Sequence, residues 1–325
     1  MSNKKDYNDN DLQFIRNTCQ LKNDAGNDES MFFARELEAI KAKTYDVKVP
    51  ENNALKLFPV STETNPGAKT ITFQSFDSVG MAKIIASYAD DLTRADVVGT
   101  EETVKVHGIG NAYGYSTEDI RNAKMVGRPL VSRKAEAARR AQDALISKIA
   151  FRGDEEHKIV GIINHPNISE YVVPANGDGS VTSWDAKTPD QILEDLAAMT
   201  SLVVETTNGV EIPDTIALPL SAYNRIANAK LPDSNGKTVL KYFLENNPYI
   251  KTIHQVHELA NATTDGKNVA LVYRFDPSAL QLELPLPFTQ YTPQMNNLEF
   301  VVPCESKTAG IVVYYPMSVC KAIGI

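Results

Sequence analysis

Cysteine is scarce in this chain: Cys19, Cys304 and Cys320 are the only three among 325 residues. An odd count without metal-ligand spacing excludes a disulfide framework and a Cys-built zinc site, and points to free thiols in a reducing compartment. Basic charge is short as well, with 33 Lys and Arg against 41 Asp and Glu, a net charge of −8. A sequence-independent nucleic-acid binder needs the opposite balance, because it must neutralise phosphates. An acidic protein can still enclose nucleic acid without gripping it. No apolar run approaches the 18 or so residues of a membrane span. Met1 to Asp6 leads into polar residues and not into an apolar segment, so no signal peptide is expected and the protein is read as soluble and retained in the cell that makes it. Hydrophobic residues make up 42% of the chain, enough to bury two core-bearing units and to exclude a wholly disordered or fibrous chain.

Catalytic motifs are the next absence. His254-Gln255-Val256-His257-Glu258 places two histidines three apart, which could share a helix face, but it lacks the order that sets two ligands and a base around zinc. His165 precedes Pro166 in a turn without a recognisable partner. Gly177-Asp178-Gly179 has no Lys-Ser/Thr and no preceding strand to make a phosphate cradle. Gly108-Ile109-Gly110-Asn111-Ala112-Tyr113-Gly114 imitates a dinucleotide fingerprint, yet its last glycine is one residue late and no acidic residue follows in a βαβ unit. Ser221 lacks the nucleophile-elbow glycines, and the carboxylates are scattered. The expectation is therefore no catalytic residue, no cofactor and no metal.

What is present is an ordered series. Residues 1 to about 30 are rich in Asn, Asp and Lys and read as an extended arm, either a frayed terminus or a strap across an adjacent subunit. Phe33, Leu37 and Ile40 then fall at helical spacing. A first β arm runs from Lys69 to Asp77, with Ile71 and Phe73 alternating against polar neighbours, and continues through Met81 to Tyr88. A return arm runs from Ala95 through Val104 and Val106 to Tyr113. Arms of about 15 to 20 residues at roughly 3.3 Å per residue span some 50 to 65 Å, more than a compact domain needs. They are either ordinary strands folded onto the body or a projecting hairpin. The tip, Ser87 to Asp96, mixes Asp90, Asp91 and Asp96 with Arg94, a composition suited to charge pairing with a neighbouring subunit.

Ser116-Thr117-Glu118-Asp119 is a capping box with Asp in the acidic position, opening a short helix to about Met125. Gly127-Arg128-Pro129 interrupts it, and Pro129 starts a second helix of about 24 residues, roughly 36 Å, that ends at Gly153. Val131, Ala135, Ala138, Gln142, Leu145 and Ile149 make its expected packing face. The opposite face carries Arg139 and Arg140, which read either as a solvated surface or as a contact with nucleic acid or another subunit. Residues 157–166 read as a short apolar strand ended by an Asn and Pro turn. Residues 168–290 alternate helix and strand as an α/β domain, with strands at Thr215–Leu218 and Val269–Tyr273 and helices from Pro189 and Ser221. The tail returns to β character at Leu280–Leu284, Leu298–Val302 and Gly310–Tyr315, expected to form one sheet under the long helix.

Taken in this order, the chain resembles the tailed-bacteriophage major capsid proteins of the Hong Kong 97 fold. The stretches that carry the likeness are residues 72–85, Tyr88-Ala89-Asp90-Asp91-Leu92, Tyr113-Gly114-Tyr115-Ser116, residues 127–141, Gly161-Ile162-Ile163-Asn164-His165-Pro166 and Val312-Val313-Tyr314-Tyr315-Pro316. The resemblance implies an α+β fold: an N-terminal arm over residues 1–57, an extended β-hairpin loop over 58–115, a peripheral domain with its spine helix over 116–165, an α/β axial domain over 166–290 and peripheral closing strands over 291–325. It implies a structural protein, not an enzyme, that assembles with itself as hexamers and pentamers into an icosahedral virion shell around double-stranded DNA, in the host cytoplasm and away from any membrane. Separate scaffolding and portal proteins are expected partners, with decoration proteins a further option. A chain already trimmed of its scaffold is the alternative to a separate one. Candidate assembly residues are Asp90, Asp91, Arg94, Asp96, Arg139 and Arg140. An encapsulin shell around a cargo enzyme shares the fold and is the runner-up, ahead of a cytoplasmic α/β enzyme.

Overall fold

The computed structural model describes residues 52–79, 96–127, 130–175, 182–232 and 234–325. The arm at 1–30, the expected helix around Phe33 to Ile40, and residues 80–95 of the excursion lie outside them.

A single turn, α1 (Ala54–Leu57), buries Ala54 and Leu57 and delivers Phe58 to the core. The Phe58 ring sits 5.3 Å from Phe151 and 5.6 Å from Tyr273, whose hydroxyl donates to the Leu57 carbonyl at 2.7 Å. After the short β1 (Val60–Ser61), β2 (Thr70–Val79) and β3 (Asp96–Lys105) form an antiparallel ladder in unbroken register from Thr70↔Lys105 to Val79↔Asp96. The return arm, expected as one run to Tyr113, divides at Val106. Beyond it β4 (His107–Ser116) leaves the hairpin and pairs with the body. Its alternation explains why: one face is Gly108, Gly110, Ala112 and Gly114, the other Ile109, Asn111, Tyr113 and Tyr115, and a strand apolar on one side needs a body to cover that side.

The capping box forms as expected. Ser116 Oγ accepts from the Asp119 N–H at 3.0 Å and Asp119 Oδ2 from the Ser116 N–H at 3.1 Å, opening α2 (Thr117–Val126), which closes on left-handed Gly127. The long helix α3 (Leu130–Arg152) spans 23 residues, about 34 Å. It joins two cores: Ala138 packs with Val302 and Cys304 of a β-sheet, whereas Ile146, Ile149, Ala150 and Phe151 belong to the main core. Leu145, placed on the packing face by spacing, is 41% exposed, and Ile146 at 3% takes its place. The shift by one residue follows from the helix changing partner along its length, so that one straight stripe does not serve both. Residues 157–166 form no strand. The chain turns at Gly153 (φ +72) and doubles back, so that Ile162 and Ile163 N–H groups donate to the Ala150 and Phe151 carbonyls at 2.9 and 3.0 Å.

The remaining elements are β5 (Ser169–Val172), α4 (Pro189–Thr206), β6 (Thr215–Leu218), α5 (Leu220–Asn228), α6 (Val239–Asn246), β7 (Thr252–Gln255), β8 (Val269–Tyr273), β9 (Leu280–Glu283), β10 (Leu286–Gln290), β11 (Gln294–Asn296), β12 (Glu299–Thr308), β13 (Gly310–Val313) and β14 (Val319–Ile323). Five of them make a mixed sheet in the order β5-β14-β8-β6-β7. Its central strands β6 and β8 are buried on both faces, and alternate residues go to different cores. Ile216, Leu218, Ala270 and Val272 pack with the helices α4 to α6, while Ala217, Val269, Leu271 and Tyr273 join the core containing the end of α3. That is why β6 and β8 read as continuous apolar runs. His254 lies on edge strand β7 and His257 in a 3₁₀ turn, so the two share no helix face.

The tail strands do not share one sheet. β9 and β13 pair with each other and with β1, whereas β12 pairs with β4, β10 and β11 in a separate sheet beneath the first half of α3. Glu283 ends β9 with its side chain buried, taking hydrogen bonds from Thr64 Oγ1 at 3.3 Å and the Tyr314 hydroxyl at 3.5 Å. Burial pushes its carboxyl above the usual range despite those bonds. A carboxyl with a raised folded-state pKa contributes stability below its unfolded value, and that contribution is lost as pH rises through the folded value. Glu283→Gln should therefore be the more stable protein at about pH 8, with the gap in urea midpoint closing toward about pH 4. A gap independent of pH would assign the effect to packing.

Candidate assembly surfaces

The β2–β3 ribbon carries polar rungs, with Thr72 and Thr103 hydroxyls 3.0 Å apart, Gln74 Nε2 donating to Glu101 at 2.6 Å and Ser75 facing Thr100 at 2.6 Å. Its foot is pinned to the body. The Phe73 ring meets Tyr314 edge-on at 5.1 Å, Val106 N–H donates to the Lys69 carbonyl at 2.9 Å, and Lys307 Nζ reaches the Pro66 carbonyl at 2.9 Å. Thr72, Gln74, Ser75, Thr100, Glu101 and Thr103 are all exposed, and a lone two-stranded ribbon is marginal in water. Asp96 stands at the far end of the ladder, opposite Val79. Asp90, Asp91 and Arg94 lie outside the described residues.

Arg139 and Arg140 are both exposed on α3, on a different element from Asp96. Arg139 Nε lies 3.7 Å from Asp143 Oδ2, one turn along the same helix. Burial raises the Asp143 carboxyl pKa, with the Arg139 charge opposing. The helix is locked to the sheet from its other side. Lys134 Nζ donates to the Gly114 carbonyl at 2.7 Å, Asn111 Nδ2 to the Ala138 carbonyl at 2.8 Å, and the buried Gln142 Nε2 to Asn111 Oδ1 at 2.8 Å. Gln142 thus occupies its expected inward position as a polar tie. Sequence reasoning missed a second surface, the β11–β12 turn, where Met295 is 64% and Leu298 70% exposed beside left-handed Asn297. Its one signal was the Asn296-Asn297 pair between alternating strands.

Chemistry is sparse among the described residues: no group of three or more His, Cys, Asp and Glu is placed to hold a metal ion, and no helix is long and apolar enough to cross a membrane. Burial pushes the Cys304 thiol up and the Cys320 thiol up to about 12, so neither offers a thiolate nucleophile near neutral pH. His157 Nδ1 lies 2.6 Å from Asp154 Oδ2, an exposed pair in which each partner favours the other's charged form.

The model of the major capsid protein family matches residues 80–325. The chain belongs to that family. No curated protein sequence matches the chain. Among solved structures it is similar to the capsid of Myoviridae Phage XM1, at 16% identity over 91% of this chain and 100% of that one, with a TM-score of 0.78. A protein of Mycobacterium phage Ogopogo covers 90% of this chain and 99% of its own at 13% identity and a TM-score of 0.59. The virus-like particle from Pyrococcus furiosus covers 83% and 91% at 15% identity and a TM-score of 0.53. These likenesses carry the fold, which is that of Hong Kong 97-type capsids. As a major capsid protein the chain is a structural subunit that associates with itself into the shell of a virion, and the enzyme and cargo-shell readings are not favoured.

Proposed function

We propose that this capsid protein assembles as hexamers and pentamers into an icosahedral shell that encloses double-stranded phage DNA without sequence-specific binding, in the host cytoplasm. The observation that carries the reading is the ten-residue β2–β3 ladder. Its polar rungs rise clear of a body that is otherwise well packed, as an element meant to lie on a neighbour would. On this reading the chain divides into an arm 1–57, an extended loop 58–115, a peripheral domain 116–165 with α3 as its spine, an axial domain 166–290 and closing strands 291–325. Many weak contacts per subunit become strong together in a closed lattice. Asp90, Asp91, Arg94 and Asp96 supply charge pairs between subunits at the loop tip, and Arg139 and Arg140 a second contact on α3. The net charge of −8 keeps DNA from adhering to the inner wall. Scaffolding, portal and decoration functions fall to separate proteins, and no catalysis or cofactor is involved.

Negative-stain electron microscopy with light scattering tests this. Uniform closed particles or capsomer rings are expected, with a diameter that separates a genome-sized capsid from a small cargo cage. Arg94→Asp should lower particle yield while leaving the far-UV spectrum and melting of the subunit unchanged. A chain that stays monomeric or dimeric even with a scaffold partner supplied would sink the reading.

A further inference from the structure

A cavity of about 340 Å³ opens between the foot of the β2–β3 ribbon and the body. Phe73 and Val104 line it from the ribbon, and the buried Ile311 and Val313 line it from β13. Taking a water's share of liquid volume, it has room for roughly eleven non-hydrogen atoms. Lys105 of the ribbon and Lys158 of the turn after α3 border this apolar floor, both of them exposed, and Glu102 is the one carboxylate among the lining residues. Among the described residues neither lysine enters an ion pair, in a chain with 41 acidic residues against 33 basic ones.

The backbone sets Lys158 apart. Among the described residues five other than glycine are left-handed: Lys158 at φ 58, and Asn208, Asn235, Asn261 and Asn297. Asparagine tolerates that region because its short side chain bonds to the local backbone, a bond that a long aliphatic stem does not make. The carboxylate of this turn, Asp154, is engaged by His157 and not by Lys158. The chain thus places a lysine where asparagine would suit the turn better, and what the lysine adds is an ammonium group at the rim of an apolar cavity. His165 supplies a further polar group there: its Nδ1 accepts from the Asn167 N–H at 3.3 Å, which leaves the ring proton on Nε2.

We propose that this cavity binds a small amphipathic monoanion, a medium-chain aliphatic carboxylate. Its alkyl body would lie on Phe73, Val104, Ile311 and Val313, and its carboxylate would meet Lys105 and Lys158. Two ammonium groups beside one carboxylate leave a single positive charge, which matches a monoanion better than a phosphate dianion. Both walls belong to one copy, so the site needs no assembly and stands apart from the shell reading. A bound ligand would tie the ribbon to the body at its foot.

The test is calorimetric titration of the full chain with octanoate, with 1-octanol and acetate as the uncharged and the tail-less controls. Octanoate should bind saturably with one site per chain, octanol at least tenfold more weakly, and acetate not at all. Lys158→Asn should move two readouts in opposite directions: octanoate binding weakens about tenfold, while the melting temperature of the ligand-free protein rises by about 1–2 °C as the backbone relaxes. Lys105→Met should weaken binding similarly without a change in melting, and Val104→Trp, on the ribbon, should abolish binding by filling the cavity. Absence of saturable heat up to about 10 mM octanoate would overturn the proposal. So would equal affinity for octanol, or wild-type affinity in both lysine variants. Light scattering on the same samples shows whether the chain is a subunit or a particle, so a failure of the shell reading is seen separately and leaves this site standing.

Discussion

Lys187→Met should lower the free energy of unfolding by about 3–5 kcal/mol, because it strands a buried carboxylate. The Lys187 and Asp195 side chains are each 2% exposed and their charged atoms lie 2.6 Å apart. Asp195 Oδ2 also accepts from Trp184 Nε1 at 2.9 Å, and Oδ1 from the Tyr171 hydroxyl at 3.2 Å. One carboxylate therefore ties helix α4, strand β5 and the 3₁₀ turn at Trp184 to one another. Removing the ammonium leaves its charge in a low-dielectric interior with only two neutral donors, which do not replace a cation. The melting temperature should fall by about 10 °C. Lys187→Met combined with Asp195→Leu should recover part of the loss, since an apolar pair of similar volume often matches a buried ion pair, although Trp184 and Tyr171 then lack their acceptor. Chemical denaturation of the two single variants and the double variant gives the coupling directly. A cost below about 1 kcal/mol for Lys187→Met would show that water reaches the site.

Gly161→Ala should have the larger effect of the two, abolishing soluble protein or lowering stability by more than about 4 kcal/mol. The chain doubles back on the end of α3 there, with Asp154 and Ile159 exchanging backbone hydrogen bonds of 2.8 Å in both directions. A Cβ on Gly161 would collide with the Gly153 nitrogen and the Phe151 carbonyl, and one on Gly153 with the Ile159 carbonyl and the Gly161 nitrogen. All of these are backbone atoms, so no side chain can swing aside. Relief would require the turn to open, which would pull Ile162 and Ile163 out of the main core. Gly209→Ala is the control: its φ is +79, but nothing lies within 4 Å of the added Cβ. It should cost only about 1 kcal/mol, the strain of a left-handed backbone alone. Soluble yield and thermal melting of the three proteins decide this, and equal losses at the two positions would refute the close-approach explanation.

Features set by residues three or four apart were legible in the sequence. The Ser116/Asp119 box opened α2 where expected, and α4 starts at Pro189 as expected. The alternation of Ile71 and Phe73 placed the first arm, and the apolar runs placed β6 and β8. The absence of a basic excess and of catalytic spacings pointed away from a nucleic-acid binder or an enzyme, and the order of elements pointed to the capsid family that the match to residues 80–325 bears out. Of the candidate assembly residues, only the charge pattern was available, and the tip acids remain a proposal.

Partner choice was decided by the tertiary structure. Local periodicity says that a strand has an apolar side, not which strand it will meet, and β4 passes the hairpin it follows to pair with β12 nearly two hundred residues on. The same limit put β9 and β13 in one sheet and β12 in another, and turned Ile146 inward in place of Leu145 where α3 passes from one core to the next. Composition and short-range spacing thus determined most of the elements and their order, because those signals are local, while the family entered by resemblance. Sheet membership and the crossing at Gly153 and Gly161 depended on contacts between distant segments, whose energies arise only when the chain is packed.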